Sequence, residues 1–209
     1  RQALNVKPTR MELSNLKKKR KVAVRGHKLM KDKRDEMVRR FIVYVRRNRT
    51  LREEVEQKLA SAMQGFVLAR ASMRAEAVEE ALCYPARPAE IKVSAQHVLS
   101  VVVPKLELAS VGKVELPYGI VGTSAELDAA VQAFAELLPL LIELAEVEKT
   151  CNRLADEIEK TRRRVNALEY VMIPQFDEAI RTIKMKLDEN ERGNLTRLMK
   201  TKEMLAQKE

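Results

Sequence analysis

Two stretches with seven-residue apolar spacing, roughly Pro8–Leu82 and Ser124–Leu205, flank one short segment rich in β-branched residues. In the first, Leu16, Ala23, Met30, Met37, Tyr44 and Leu51 fall seven apart, and Phe41, Val55 and Ala62 form a second line. The return stretch repeats this with Leu137, Leu144, Cys151, Ile158, Val165, Met172 and Ala179, accompanied by Leu140, Val147, Leu154 and Leu168. A strict seven-residue period drifts against the 3.6-residue turn, so two such helices wrap with a left-handed supercoil. The expected fold is therefore mainly α: a long antiparallel, left-handed two-helix coiled coil. Each arm would reach on the order of 110 to 120 Å.

Three segments follow: residues 1–82 as the first long helix, 83–123 as a turn-end segment, and 124–209 as the return helix. Thr9 after Pro8 marks one helix start, while Thr123 with Glu126, in competition with Ser124, marks the other. Pro139 and Pro174 each remove a helix hydrogen bond and tend to kink the chain, yet the heptad continues through both. Arg20, His27 and Arg34 occupy the second stripe, where an unpartnered charge would be costly. That end should be loosely closed or covered by another protein.

Between the arms, Ile91, Val93, Val98, Val101 and Val103 favour strands, and Lys105-Leu-Glu-Leu108 and Lys113-Val-Glu-Leu116 alternate charged with apolar residues. Ser110-Val-Gly112 supplies turn chemistry. A β-hairpin or small sheet at the closed end is expected, and a lone hairpin is marginal in water unless it packs on helices or docks a partner.

Composition points the same way. With four Phe, four Tyr, no Trp and 33% charged residues among 209, the chain lacks the aromatic area of a wide globular core. No apolar run reaches the roughly 18 residues that span a bilayer, and no signal-peptide core is present, so a soluble intracellular protein is expected. Antiparallel pairing would put Cys83 and Cys151 roughly 40 Å apart, too far for a disulfide; Cys151 on the seam reads as a small buried thiol.

Charge separates the two ends. Residues 1–34 hold thirteen Lys/Arg against two Asp/Glu, net +11, whereas residues 35–82 are nearly balanced at +1. Residues 124–160 carry net −6 and would lie beside Arg46, Arg47, Arg49, Arg52 and Lys58; residues 181–209 carry +3 and would lie against the basic start. About +14 would then gather on one tip, which asks for an acidic host such as a protein cavity or a nucleic acid. The run Lys17-Lys-Lys-Arg-Lys21 would bind phosphates, but it has no interleaved aromatic for stacking and no zinc ligands.

No active site assembles. His27 and His97 fall at opposite ends of the expected hairpin, and no Cys/His spacing suits zinc. Gly119-Ile-Val-Gly122-Thr123 lacks the Gly-Lys-Ser/Thr ending of a phosphate loop. A non-enzyme without cofactor or metal is expected.

The strings Asn5-Val-Lys-Pro-Thr-Arg-Met-Glu-Leu13, Arg25-Gly-His-Lys-Leu-Met-Lys-Asp-Lys-Arg-Asp-Glu36 and Lys160-Thr-Arg-Arg-Arg-Val-Asn-Ala-Leu-Glu169, followed by Ile173-Pro174, closely resemble the D subunit of bacterial and archaeal V-type (V/A-type) ATPases. The resemblance implies a central rotor shaft at the cytoplasmic face of a membrane-bound complex. Its termini would enter a hexamer of catalytic and non-catalytic nucleotide-binding subunits (A and B type), the small F subunit of the central stalk would bind along it, and its turn end would meet a funnel-shaped subunit on the membrane rotor ring. It further implies a hexamer-facing basic tip of Arg10, Lys17, Arg20, Arg25, Lys28, Lys31, Arg34, Arg192, Arg197 and Lys200. A mid-shaft contact at Arg162, Arg163 and Arg164 and turn-end docking through Leu106, Leu108, Val114 and Leu116 complete the expected surfaces. A basic coiled-coil nucleic-acid-binding protein is the alternative, with a generic scaffold behind it.

Overall fold

The computed structural model describes residues 7–84, 89–109, 116–119 and 122–206. In chain order these form α1 (Arg10–Ser72), α2 (Ala75–Leu82), β1 (Ile91–Val98), β2 (Val101–Leu108), α3 (Ala125–Ala167), a five-residue π-helical turn (Leu168–Met172) and α4 (Ile173–Ala206). The fold is mainly helical, with antiparallel packing of long helices and one small β-hairpin. Two compact units contribute, residues 1–36 with 158–209 and residues 37–157.

Side-chain caps set the helix starts. The Thr9 hydroxyl accepts the Glu12 N–H at 3.2 Å, and Ser124, rather than Thr123, caps α3 by accepting the Leu127 N–H at 3.3 Å. Thr123 instead donates to the Gly119 carbonyl at 3.0 Å. The first arm is not one helix to Leu82. It stops at Ser72, and extended backbone at Arg74 opens α2, because Met73 is drawn into a cluster with Ala69, Ala81 and Leu127.

In the unit formed by residues 37–157, the seam follows the heptad closely. Leu51 packs with Val147 and Cys151, flanked by Phe41, Tyr44, Leu140 and Leu144. Nearer the turn end Ala69 packs with Leu127, and a methyl added at Gly65 would meet Ala130 Cβ at 3.8 Å. As position numbers rise along α1 they fall along α3, the mark of antiparallel pairing. Small residues at 62, 65, 69 and 130 bring the two backbones close. Pro139 sits inside α3 without ending it.

The hairpin differs from expectation. Its strands are Ile91–Val98 and Val101–Leu108, in register from Ile91↔Leu108 to Val98↔Val101. The turn is Leu99-Ser100, with φ of 48° and 68°, the doubly left-handed conformation that normally selects Asn-Gly. Asn, Asp and Gly are absent at both positions, so the sequence carries no signal for this turn. Ser110 to Glu115, including the expected turn and Val114, lie outside the described residues. β2 is moored to α3, where the Leu106 N–H donates to Glu146 at 2.8 Å; Glu146 lies about 28 Å further along the helix than Leu127.

In the other unit, Leu16 packs with Ala179 and Ile183, and Leu13, Phe176, Ile180 and Leu187 surround them. Here the heptad expectation fails at one place. Met172 is 42% exposed, because the seam passes from Leu168 to Phe176, eight residues rather than seven. The π turn absorbs the extra residue, with the Ile173 N–H donating to the Leu168 carbonyl. A wider turn there suits Pro174, which has no N–H to give and whose ring would crowd an α-helical carbonyl four residues back.

Candidate partner-binding surfaces

The basic tip residues all belong to the unit of residues 1–36 and 158–209, and they divide into two groups. Arg10 pairs with Glu191, Arg20 with Asp177 and Arg34 with its neighbour Asp35. His27 Nε2 lies 3.2 Å from Glu169 Oε2. Arg20, His27 and Arg34, which the heptad puts on the second stripe, each have a carboxylate beside them, Arg20 and His27 across the helix pair and Arg34 on its own helix, and water still reaches both groups of each pair. The pairs between the two helices, being half-exposed, set register more than they stabilise.

Lys17, Arg25, Lys28, Lys31, Arg192, Arg197 and Lys200 are exposed or half-buried and, among the described residues, have no carboxylate within 4.0 Å. Their charges face solvent. Past Glu191, the partner of Arg10, α4 runs on to Ala206 with every residue exposed. Leu195, Leu198, Met199 and Leu205 are 61–69% exposed there. Charge counting does not reveal this stripe, although its three- and four-residue spacing is legible in the sequence. A short helix end without tertiary packing is marginal in water.

Arg162, Arg163 and Arg164 are exposed on α3 just before the π turn, and Arg163 pairs with Glu159 of its own helix. Tyr170 in the π turn is 71% exposed. In the other unit, Arg47 reaches Glu143 and Arg52 reaches Glu148 across the helix pair, in line with the charge pattern. Arg49 and Lys58 instead bond within α1, to Glu53 and Glu54.

At the turn end, Leu106 and Leu108 are half-buried on the hairpin face shared with Val93 and Ile91, and Leu116 is 41% exposed. An open cleft of about 850 Å³ lies between α2 and residues 117–119 and 122–123, lined by Glu76, Glu79, Glu80, Tyr84 and Tyr118 among others. Among the described residues its lining includes no histidine. Among the described residues no group of three or more His, Cys, Asp and Glu side chains could hold a metal ion. No helix there is long and apolar enough to cross a membrane. Burial pushes the Cys151 thiol above its usual value, opposed by a hydrogen bond with Asn48, so it is a packing residue.

Paired long helices with solvent-facing cations, an exposed apolar helix end and a moored hairpin define a mainly helical protein whose distinctive features lie on its surfaces. The profile of the ATP synthase D-subunit family matches residues 12–203. The chain is 55% identical to the D subunit of the V-type ATP synthase of Thermoanaerobacter sp. (strain X514), covering 97% of both chains. It is 54% identical to that of Acetivibrio thermocellus, over 97% of this chain and 92% of the relative, and 53% identical to that of Clostridium botulinum strain Langeland, over 99% and 97%. The chain belongs to the family of V-type ATP synthase D subunits, the non-catalytic central-stalk subunits of a rotary, membrane-associated complex.

Proposed function

We propose that this chain is the shaft that carries torque between a hexamer of catalytic and non-catalytic nucleotide-binding subunits and the ion-translocating ring, from the cytoplasmic face of the membrane. Residues 1–82 and 124–209 form its two strands and residues 83–123 its turn-end module. The observation that carries this reading is the family match over residues 12–203, joined to a tip whose Lys17, Lys28 and Lys31 have no carboxylate nearby among the described residues.

The tip fits acidic loops of the hexamer through many separated, screened contacts, which a rotor can make and leave, whereas a few buried pairs would trap it. Of the ten tip residues, Arg10 and Arg20 serve first to fix register within the chain and Arg34 bonds its neighbour Asp35; Lys17, Arg25, Lys28, Lys31, Arg192, Arg197 and Lys200 face outward. The apolar stripe of α4 beyond Glu191 seats in the same cavity, where its burial stabilises the helix end. Arg162, Arg163 and Arg164 with the π turn suit the small F subunit, and the hairpin with Leu106, Leu108, Val114 and Leu116 suits the funnel-shaped subunit on the rotor ring.

Co-expression with the two nucleotide-binding subunits tests this. One copy should copurify per hexamer at moderate salt, and reversing Lys17, Lys28 and Lys31 to Glu should weaken assembly and uncouple hydrolysis. If the chain stays out of the hexamer and binds DNA tightly instead, the shaft reading is wrong.

A further inference from the structure

The two edges of the hairpin are unequal. Because the Leu106 N–H leaves the ladder to bond Glu146 at 2.8 Å, Leu106 and its partner Val93 form a non-hydrogen-bonded pair. The ladder bond from the Ala109 N–H to the Glu90 carbonyl, at 2.8 Å, has the complementary parity. Alternation then turns the N–H and C=O groups of Ile91, Val93, Ala95 and His97 away from β2, to the outer side of β1.

The β2 edge is closed twice, by the Glu146 bond and by Pro104, whose missing N–H falls at an outward position and costs no ladder bond. β1 has neither device. Seven of its eight residues are exposed, and no strand pairs its outer edge among the described residues. On the opposite face Val101 and Val103 are buried, at 8% and 3% exposure, whereas Ile91, Val93 and Val102 stand 48%, 70% and 53% exposed on the face shared with Leu106 and Leu108. An open edge beside an exposed apolar face is what strand addition requires.

We propose that β1 accepts an extended segment from another subunit of the same ATPase complex, which adds as a third strand with apolar side chains beside Val93 and polar ones beside Ser94 and Gln96. A second copy of this chain is the poorer occupant. An eight-residue strand is only about 26 Å long, and its pairing falls far short of the roughly 1,200 Å² that a stable interface buries. The added strand therefore belongs to a protein already held near the turn end by other contacts, which raise its local concentration. This rests on the turn-end docking proposed above and states how that docking is made.

Single-residue amide hydrogen exchange in the isolated protein and in the purified complex tests it. In the isolated protein Val93, Ala95 and His97 should exchange quickly while Lys92, Ser94 and Gln96 are protected by β2. In the complex the first three should slow at least tenfold. Val93→Pro should leave Lys92, Ser94 and Gln96 protected in the isolated protein but abolish the gain at Ala95 and His97. Equal rates at Val93, Ala95 and His97 in both states would overturn strand addition even if the complex assembles, leaving the shaft reading intact. Protection already present in the dilute isolated protein, or growing with its concentration, would overturn the choice of occupant. A chain that never enters the complex would defeat both readings.

Discussion

The phenol of Tyr118 donates a hydrogen bond to Asp128 Oδ1 at 2.9 Å, tying the segment before α3 to the first turn of that helix beside the Ala69–Leu127 cluster. Burial first, then the bond to Asp128 and its negative charge, pushes the Tyr118 pKa up to about 12. An acid whose pKa is higher folded than unfolded contributes stability that is complete below the unfolded value, near 10, and is lost as pH rises through about 12. Urea denaturation at pH 9 and pH 11 should therefore show a smaller loss of stability in Tyr118→Phe than in the unaltered chain. At neutral pH the substitution should cost about 1–2 kcal/mol.

Leu154 and Met172 both lie on the seven-residue stripes of the return arm, yet one is fully buried and the other 42% exposed. Leu154→Ala should cost about 2–5 kcal/mol, while Met172→Ala should stay within about 0.5 kcal/mol of the unaltered chain. Denaturant midpoints of the two variants measure the difference. Equal costs would mean that the π turn does not displace Met172 from the seam in solution.

Replacing Leu99-Ser100 by Asn-Gly should stabilise the hairpin. Both residues hold positive φ, a conformation that costs an ordinary side chain roughly 1–2 kcal/mol and that Asn and Gly adopt readily. Slower exchange of the Lys92, Ser94 and Gln96 amides in the double variant is the expected readout.

The two thiols should react very differently. Cys83 is exposed and Cys151 is buried, and the thiolate of Cys151 is disfavoured by burial. A thiol reagent at pH 8 should modify one cysteine quickly and the second only on unfolding. Reaction of both at the faster rate would show that the Leu51–Val147–Cys151 packing opens in the native state.

Much of the fold is legible because a coiled coil writes its packing into a repeat. Leu16, Leu51, Leu137, Cys151 and Val165 can be assigned to the seam by counting, and Arg47 and Arg52 to acidic partners by charge. The hairpin turn is not legible, since Leu99-Ser100 lacks the Asn-Gly chemistry that two successive positive φ angles favour, and strand pairing holds them there. At the candidate surfaces, the excess of positive charge is visible, but its division into paired Arg10 and Arg20 and outward Lys17 and Lys28 requires the positions of Glu191 and Asp177.

The sequence by itself determined which residues are apolar, at what period, and where charge accumulates, and those quantities are local enough to fix two long helices and their antiparallel pairing. Tertiary structure decided what depends on residues far apart in the chain. Met73 ends α1 as it packs against the cluster of Ala69, Ala81 and Leu127, and the seam gains a residue at the π turn because Phe176 and Ile183 must reach Leu16. Leu106 gives up its N–H to Glu146, leaving one edge of the hairpin closed and the other open. A repeat specifies the interface a helix prefers; only packing specifies where the repeat is interrupted and which polar groups remain for another molecule.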